Sequence, residues 1–175
     1  MDLSGSWDYI LEVSRSRLAH NKTAHHVSDY GEGIEVIGVA GEIVARRYLG
    51  MSEIVHDGFD DGVDLRFAGM RIDVKATLLT SLVGHRFLQW PDWKKVKADI
   101  ILLTAIDPVT KVGVPIGYAT KQEIIKAPIN RDRPTPCHEI PVRDLHPVWE
   151  LMAAYERERM KPIYRNQKVG YETLS

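Results

Sequence analysis

Apolar residues recur at helical spacing near the start of the chain. Trp7, Ile10, Leu11, Ser14 and Leu18 share one face of a helix predicted over residues 6–21, with Ser4 or Ser6 as its cap. A polar connection, NKTAHHVSDYGEG, follows. A second helix is predicted over residues 33–49, where Val36, Ile37, Ala40, Ile43, Val44 and Tyr48 form an i, i+3, i+4 stripe. Glu35, Gly38 and Glu42 lie along a neighbouring line. Gly38 and Gly41 each weaken this helix by up to about 1 kcal/mol relative to alanine, which close packing against a sheet would justify. Glu42 then sits at the margin of that contact; the alternative is a plain surface carboxylate.

The period then changes from 3.6 to 2. Leu65–Phe67 and Met70–Thr77 read as the strands of a hairpin joined by Ala68-Gly69. In the second strand Met70, Ile72, Val74 and Ala76 share one face, and Arg71, Asp73, Lys75 and Thr77 the other. Residues 78–97 are broken by Gly84 and Pro91 and read as loop-rich, bringing Trp90 and Trp93 near lysines. Ala98–Ile106 is a continuous apolar run, the mark of a strand buried on both faces. VGVPIGYAT reads as a neighbouring strand that Pro115 pushes towards an edge. Thr120 and Glu123 form a capping box opening a short helix, NRDRPTPC a loop, and HEIPV a short strand. A last helix is predicted over residues 144–160, capped by Asp144, with Leu145, Val148, Trp149, Met152 and Tyr155 on its apolar side. Strands mixed with helices, without repeat or linker, predict one α/β domain over residues 1–175: a central mixed sheet flanked by helices.

Bulk composition narrows the class. The 175 residues are 44% hydrophobic and 27% charged, as in a globular protein with a real core. No apolar run approaches the ~20 residues of a membrane helix, and the first ten residues lack the pattern of a secretory leader. Cys137 is the only cysteine, which excludes an intramolecular disulfide; together these signs favour a cytoplasmic protein without a membrane partner. Net charge is −1, but its distribution is uneven: Asp57, Asp60 and Asp61 cluster early, while WKKVK and residues 157–168 are basic. An acidic pocket with basic flanks suits a metal-assisted enzyme acting on a polyanion. Chance clustering on a neutral surface gives the same pattern.

The hairpin carries the chemistry. Asp64 and Asp73 stand nine residues apart on strands that its turn brings together. Two carboxylates facing one spot repel unless one is protonated or a cation lies between them. Mg²⁺ takes such ligands, usually one or two carboxylates plus waters and substrate phosphate, and the Val74 carbonyl adds an oxygen. Lys75, on the strand face of Asp73, is placed to hold the attacking water and meet charge on a phosphate. The alternative makes Asp73 and Lys75 solvated strand charges and Asp64 the cap of a turn.

Glu42 on a helix, then Gly62-Val63-Asp64, then Asp73-Val74-Lys75 on the second hairpin strand resembles the PD-(D/E)XK nuclease superfamily. The likeness covers roughly residues 33–142, with Val63 where other members carry proline. It implies a restriction-endonuclease-like αβββαβ core, here with added N-terminal and C-terminal helices. It also implies that Asp64 and Asp73 bind the metal, that Lys75 assists the nucleophile, and that Glu42 completes the acidic site. The implied activity is Mg²⁺- or Mn²⁺-dependent hydrolysis of phosphodiester bonds, in DNA first of all. Lys94, Lys95 and Lys97, with Trp90 or Trp93 for stacking, are candidates for the substrate grip, and Arg157, Arg159, Lys161 and Arg165 for its extension. A domain this small carries one site, so cutting both strands calls for a homodimer. The competing expectation is a catalytically silent module of the same fold that binds nucleic acid or a protein.

Three other motifs lead nowhere. A calcium loop starting at Asp57 puts Phe59 at its third position and Ala68 at its twelfth, and neither chelates. Cys137-His138 lacks a second cysteine and reads as loop, and His20, His25 and His26 lack a further ligand at useful spacing.

Overall fold

Two sheets, not one, carry the strands. The computed structural model describes residues 1–23, 32–55, 62–83, 87–92 and 94–157. The larger sheet is mixed and four-stranded, in the order β1 (Leu65–Phe67), β2 (Met70–Leu78), β4 (Ile100–Asp107), β5 (Val112–Thr120). β1–β2 and β4–β5 are antiparallel, whereas β2 and β4 run parallel with Asp73 beside Ile101 and Lys75 beside Leu103. The smaller sheet joins β3 (Phe87–Pro91) and β6 (Ile129–Asn130) to opposite sides of β7 (Cys137–Pro141), both antiparallel. The strand after the short helix α3 (Lys121–Lys126) therefore leaves the main sheet, and β5 takes the edge, where Pro115 is tolerated.

The elements form for local reasons. β1 and β2 meet through Ala68 and Gly69, both at positive φ, as a two-residue hairpin turn requires. β4 is buried from Ile100 to Ile106 because both its neighbours and both its faces are covered. α3 starts at the expected capping box: Thr120 Oγ1 accepts from Glu123 N–H, and Glu123 Oε2 accepts from Thr120 N–H at 2.7 Å. α1 (Trp7–Thr23) follows a 3₁₀ turn, and the Ser6 hydroxyl is not its cap: it donates to Glu53 and accepts from Arg47. The last helix starts later than expected, with helical backbone over residues 149–157. Asp144 lies in a 3₁₀ turn, His146 is bridged to Tyr118, and Pro147 keeps the chain extended before it. Trp149 consequently points to solvent, and Val148 and Leu151 enter the core instead.

α2 (Glu32–Tyr48) lies on the main sheet and meets it at Gly41. A Cβ there would sit 2.5 Å from Thr104 Oγ1 and 2.6 Å from Ala76 Cβ, whereas one at Gly38 meets nothing within 4 Å. Only Gly41 thus answers the expectation of a close helix–sheet approach. Gly41→Ala is expected to destabilise by roughly 1–3 kcal/mol through overpacking, while Gly38→Ala stabilises by up to about 1 kcal/mol. Thermal unfolding of the two variants checks the opposite signs.

The entry to β4 is fixed by Asp99. Its carboxylate accepts from the Arg71 guanidinium at 2.7 and 3.1 Å and from the Arg71 backbone N–H at 2.9 Å, which lowers its pKa to about 2. A depressed carboxylate stabilises the fold above its unfolded pKa near 3.8 and loses that contribution as pH falls towards 2. The pair is about two-fifths exposed, so its worth is below about 1 kcal/mol. Asp99→Asn is expected to flatten the acid limb of urea stability between those two pH values by that small amount.

Candidate functional site

The hairpin register carries the site. Leu65 pairs with Ile72, the last pair of the hairpin ladder, and Asp64 precedes it. Asp64 N–H also turns to the Ile72 carbonyl, at 2.9 Å, so the regular ladder ends there. Among the described residues no strand continues β1 beyond it, and the Asp64 carboxylate takes the open Val74 N–H. A strand residue sends its N–H and C=O to the same side, so the Val74 carbonyl leaves on the Asp64 side too. The Asp64 carboxylate thus sits on the β2 backbone at Val74, between Asp73 and Lys75 in sequence.

Two of the acids have a cation. Asp73 is 2% exposed and accepts from Lys75 Nζ. Glu42 is buried, and its two oxygens accept from Arg17 Nη1 and Nη2 at 2.6 and 2.9 Å. Burial works against the charge of Arg17, but the hydrogen bonds and charge of Glu42, with smaller help from Glu35 and Asp64, raise its pKa above the ordinary arginine value. Arg46, one helical turn after Glu42, donates from Nη2 to the Asp64 carbonyl at 2.9 Å, while its buried Nε has no hydrogen-bond partner. Arg17 and Lys75 thus answer the charges of Glu42 and Asp73, whereas Arg46 meets the Asp64 backbone and not its carboxylate.

Sequence reasoning missed Arg17 and Arg46. Arg17 follows Val13 and Ser14, both buried, at i+4 and i+3, so an arginine continuing the inward stripe of α1 was the available signal. Arg46 stands at i+4 from Glu42, on the same line of α2.

As a metal site the arrangement is an open one. Among the described residues no group of three or more His, Cys, Asp or Glu side chains surrounds an ion position. Asp64, Asp73 and the Val74 carbonyl offer only oxygen, the donor type that Mg²⁺ and Mn²⁺ take. Glu42 spends both carboxylate oxygens on the Arg17 guanidinium. Lys75 is a third exposed and, with Val74, lines a mostly apolar cleft of about 990 Å³ between β2 and the first half of α2, whereas Asp73 and Glu42 are buried beside it.

The expected grip residues divide. Trp90 is 1% exposed, its Nε1–H donates to the Lys94 carbonyl at 2.6 Å, and the ammonium groups of Lys75 and Lys94 lie 5.0 and 5.2 Å from its ring centroid. It is a core residue and not a platform for stacking bases. Lys94 and Lys95 are exposed beside a hollow at the edge of the smaller sheet, whereas the exposed Lys97 runs past Gly62 near the start of the hairpin. Trp93, His25, His26, the acidic residues Asp57, Asp60 and Asp61, and Arg159, Lys161 and Arg165 lie outside the described residues.

Cys137 and His138 are structural. Burial, then the charge of Glu139, pushes the Cys137 thiol up, away from the reactive thiolate. His138 donates from Nδ1 to the Ala127 carbonyl at 2.8 Å. Exposed His20 spends its Nδ1 on the Ser16 carbonyl at 2.9 Å. No helix among the described residues is long and apolar enough to cross a membrane. No family model matches the chain, and no curated protein or solved structure matches it either. Function is then argued from the site alone.

Proposed function

We propose that the protein is a restriction-endonuclease-like nuclease that hydrolyses phosphodiester bonds in DNA with Mg²⁺ or Mn²⁺. The observation that carries this reading is the convergence of Asp64, Asp73 and Lys75 at the open end of the hairpin. Asp64 and Asp73, with the Val74 carbonyl, would hold the ion. Bound there, it supplies Lewis acidity to the scissile phosphate and lowers the pKa of a coordinated water. Lys75, tethered to Asp73, is placed to orient the attacking water and to meet negative charge growing on the phosphate oxygens. Arg17 holds Glu42 and joins α1 to the site.

The test is cleavage of plasmid, single-stranded and branched DNA in Mg²⁺ or Mn²⁺ by the wild type and by Asp73→Asn. Activity is expected from the first and not from the second; equal activity in both assigns the cutting to another site.

One observation favours a second reading. Arg17 and Lys75 already pair Glu42 and Asp73 without an ion, as a silent module that binds nucleic acid or a protein would require. Calorimetry separates the two: Mn²⁺ binding lost in Asp64→Ala favours the nuclease, and DNA binding indifferent to metal and to that change favours the module.

A further inference from the structure

A second polar hollow lies away from the acids. Lys94 and Lys95 follow β3, Lys121 opens α3 and His138 comes from β7, and together they line a space of about 330 Å³ whose one acidic wall is Asp92. Three lysines from two separate segments thus share the lining with one carboxylate. Nearby, the Asp99 carboxylate is held by Arg71 and is also stabilised by the charge of Lys121. His138 donates from Nδ1 to the Ala127 carbonyl.

Trp90 links this hollow to the acids. Lys75 Nζ and Lys94 Nζ lie 5.0 and 5.2 Å from the centroid of the same indole ring, so the two ammonium groups are at most about 10 Å apart. Phosphates recur every ~3.4 Å of helix axis along one strand of B-form DNA. The separation of the two ammonium groups is therefore of the order of that between phosphates a few nucleotides apart on one strand. The walls offer cations, and the indole is buried and capped by ammonium groups, so the hollow suits a backbone phosphate and not a base.

We propose that Lys94, Lys95 and Lys121 form a phosphate-binding subsite that holds the DNA strand next to the bond being cut. The proposal rests on the nuclease reading for the placement of the scissile phosphate at Lys75. It adds a site that fixes the strand's path and makes the enzyme's grip dependent on salt.

The experiment measures binding of a fluorescein-labelled single-stranded DNA 15-mer by anisotropy in EDTA, from 50 to 200 mM KCl, and cleavage of the same strand in Mg²⁺. Neutralising two phosphate contacts in Lys95→Gln/Lys121→Gln is expected to weaken binding about tenfold and to lower the slope of log K against log salt by about 1.4. Lys95→Arg/Lys121→Arg restores both, which excludes misfolding as the cause. Unchanged affinity and slope in the glutamine variant, or no binding by the wild type, overturns the subsite. If the wild type binds as expected but does not cut, Lys95 and Lys121 still hold backbone phosphate, and the nuclease reading and the place beside a scissile bond fall. If it cuts while the glutamine variant binds unchanged, the subsite falls and the nuclease reading stands.

Discussion

Asp73→Asn is expected to abolish cleavage, by at least about a hundredfold, while the protein remains folded. The amide keeps the shape of the carboxylate and still accepts from Lys75, so the strand and its neighbours stay where they are. What disappears is the negative charge that would complete the oxygen set with Asp64 and Val74. The cost to stability is of order 1–2 kcal/mol, because Lys75 keeps contact with solvent and is not stranded as a buried ion. Three measurements separate the effects: initial cleavage rate, Mn²⁺ binding by calorimetry, and thermal unfolding. Loss of rate and of Mn²⁺ binding with a small shift in Tm is the outcome a metal ligand gives. A large fall in Tm with cleavage retained after correction for the folded fraction gives Asp73 a purely structural role.

The same residues show how far the sequence reached. The hairpin was legible because every signal agreed: period-two alternation, a glycine turn, and a register that the two-residue loop dictates. β4 was legible as an unbroken apolar run, and α3 because its capping box is local. β3 was hidden. Leu88 and Trp90 do alternate with Phe87 and Gln89, but the run is short, flanked by Gly84 and Pro91, and its partner β7 lies some 50 positions along the chain. The placing of Trp90 failed for that reason: a tryptophan amid lysines in a presumed loop reads as exposed, and only the second sheet buries it. The start of the last helix failed for a similar reason, since the bridge from His146 to Tyr118 that holds the chain extended is a tertiary contact. Of the site, the acids and Lys75 were visible because they share one hairpin. The counter-charge on Glu42 was not, because it arrives from a helix 25 residues earlier.

That distant counter-charge makes Arg17 the other position of large effect. Arg17→Ala is expected to cost about 3–5 kcal/mol, because it strips the buried Glu42 carboxylate of both hydrogen bonds from the guanidinium. Against a total of roughly 5–15 kcal/mol this is a large share, visible as a lower urea midpoint. The cost belongs to the buried charge and not to the lost guanidinium, so adding Glu42→Gln to Arg17→Ala should recover much of it, whereas two independent losses would add. A loss below about 1 kcal/mol in the single variant would give the pair the value of a surface ion pair and leave α1 without an electrostatic tie to the site. Recovery of stability without recovery of cleavage in the double variant would make Glu42 and Arg17 positioning residues as well as structural ones. Its readout is an activity per folded molecule that stays low when the urea midpoint has returned.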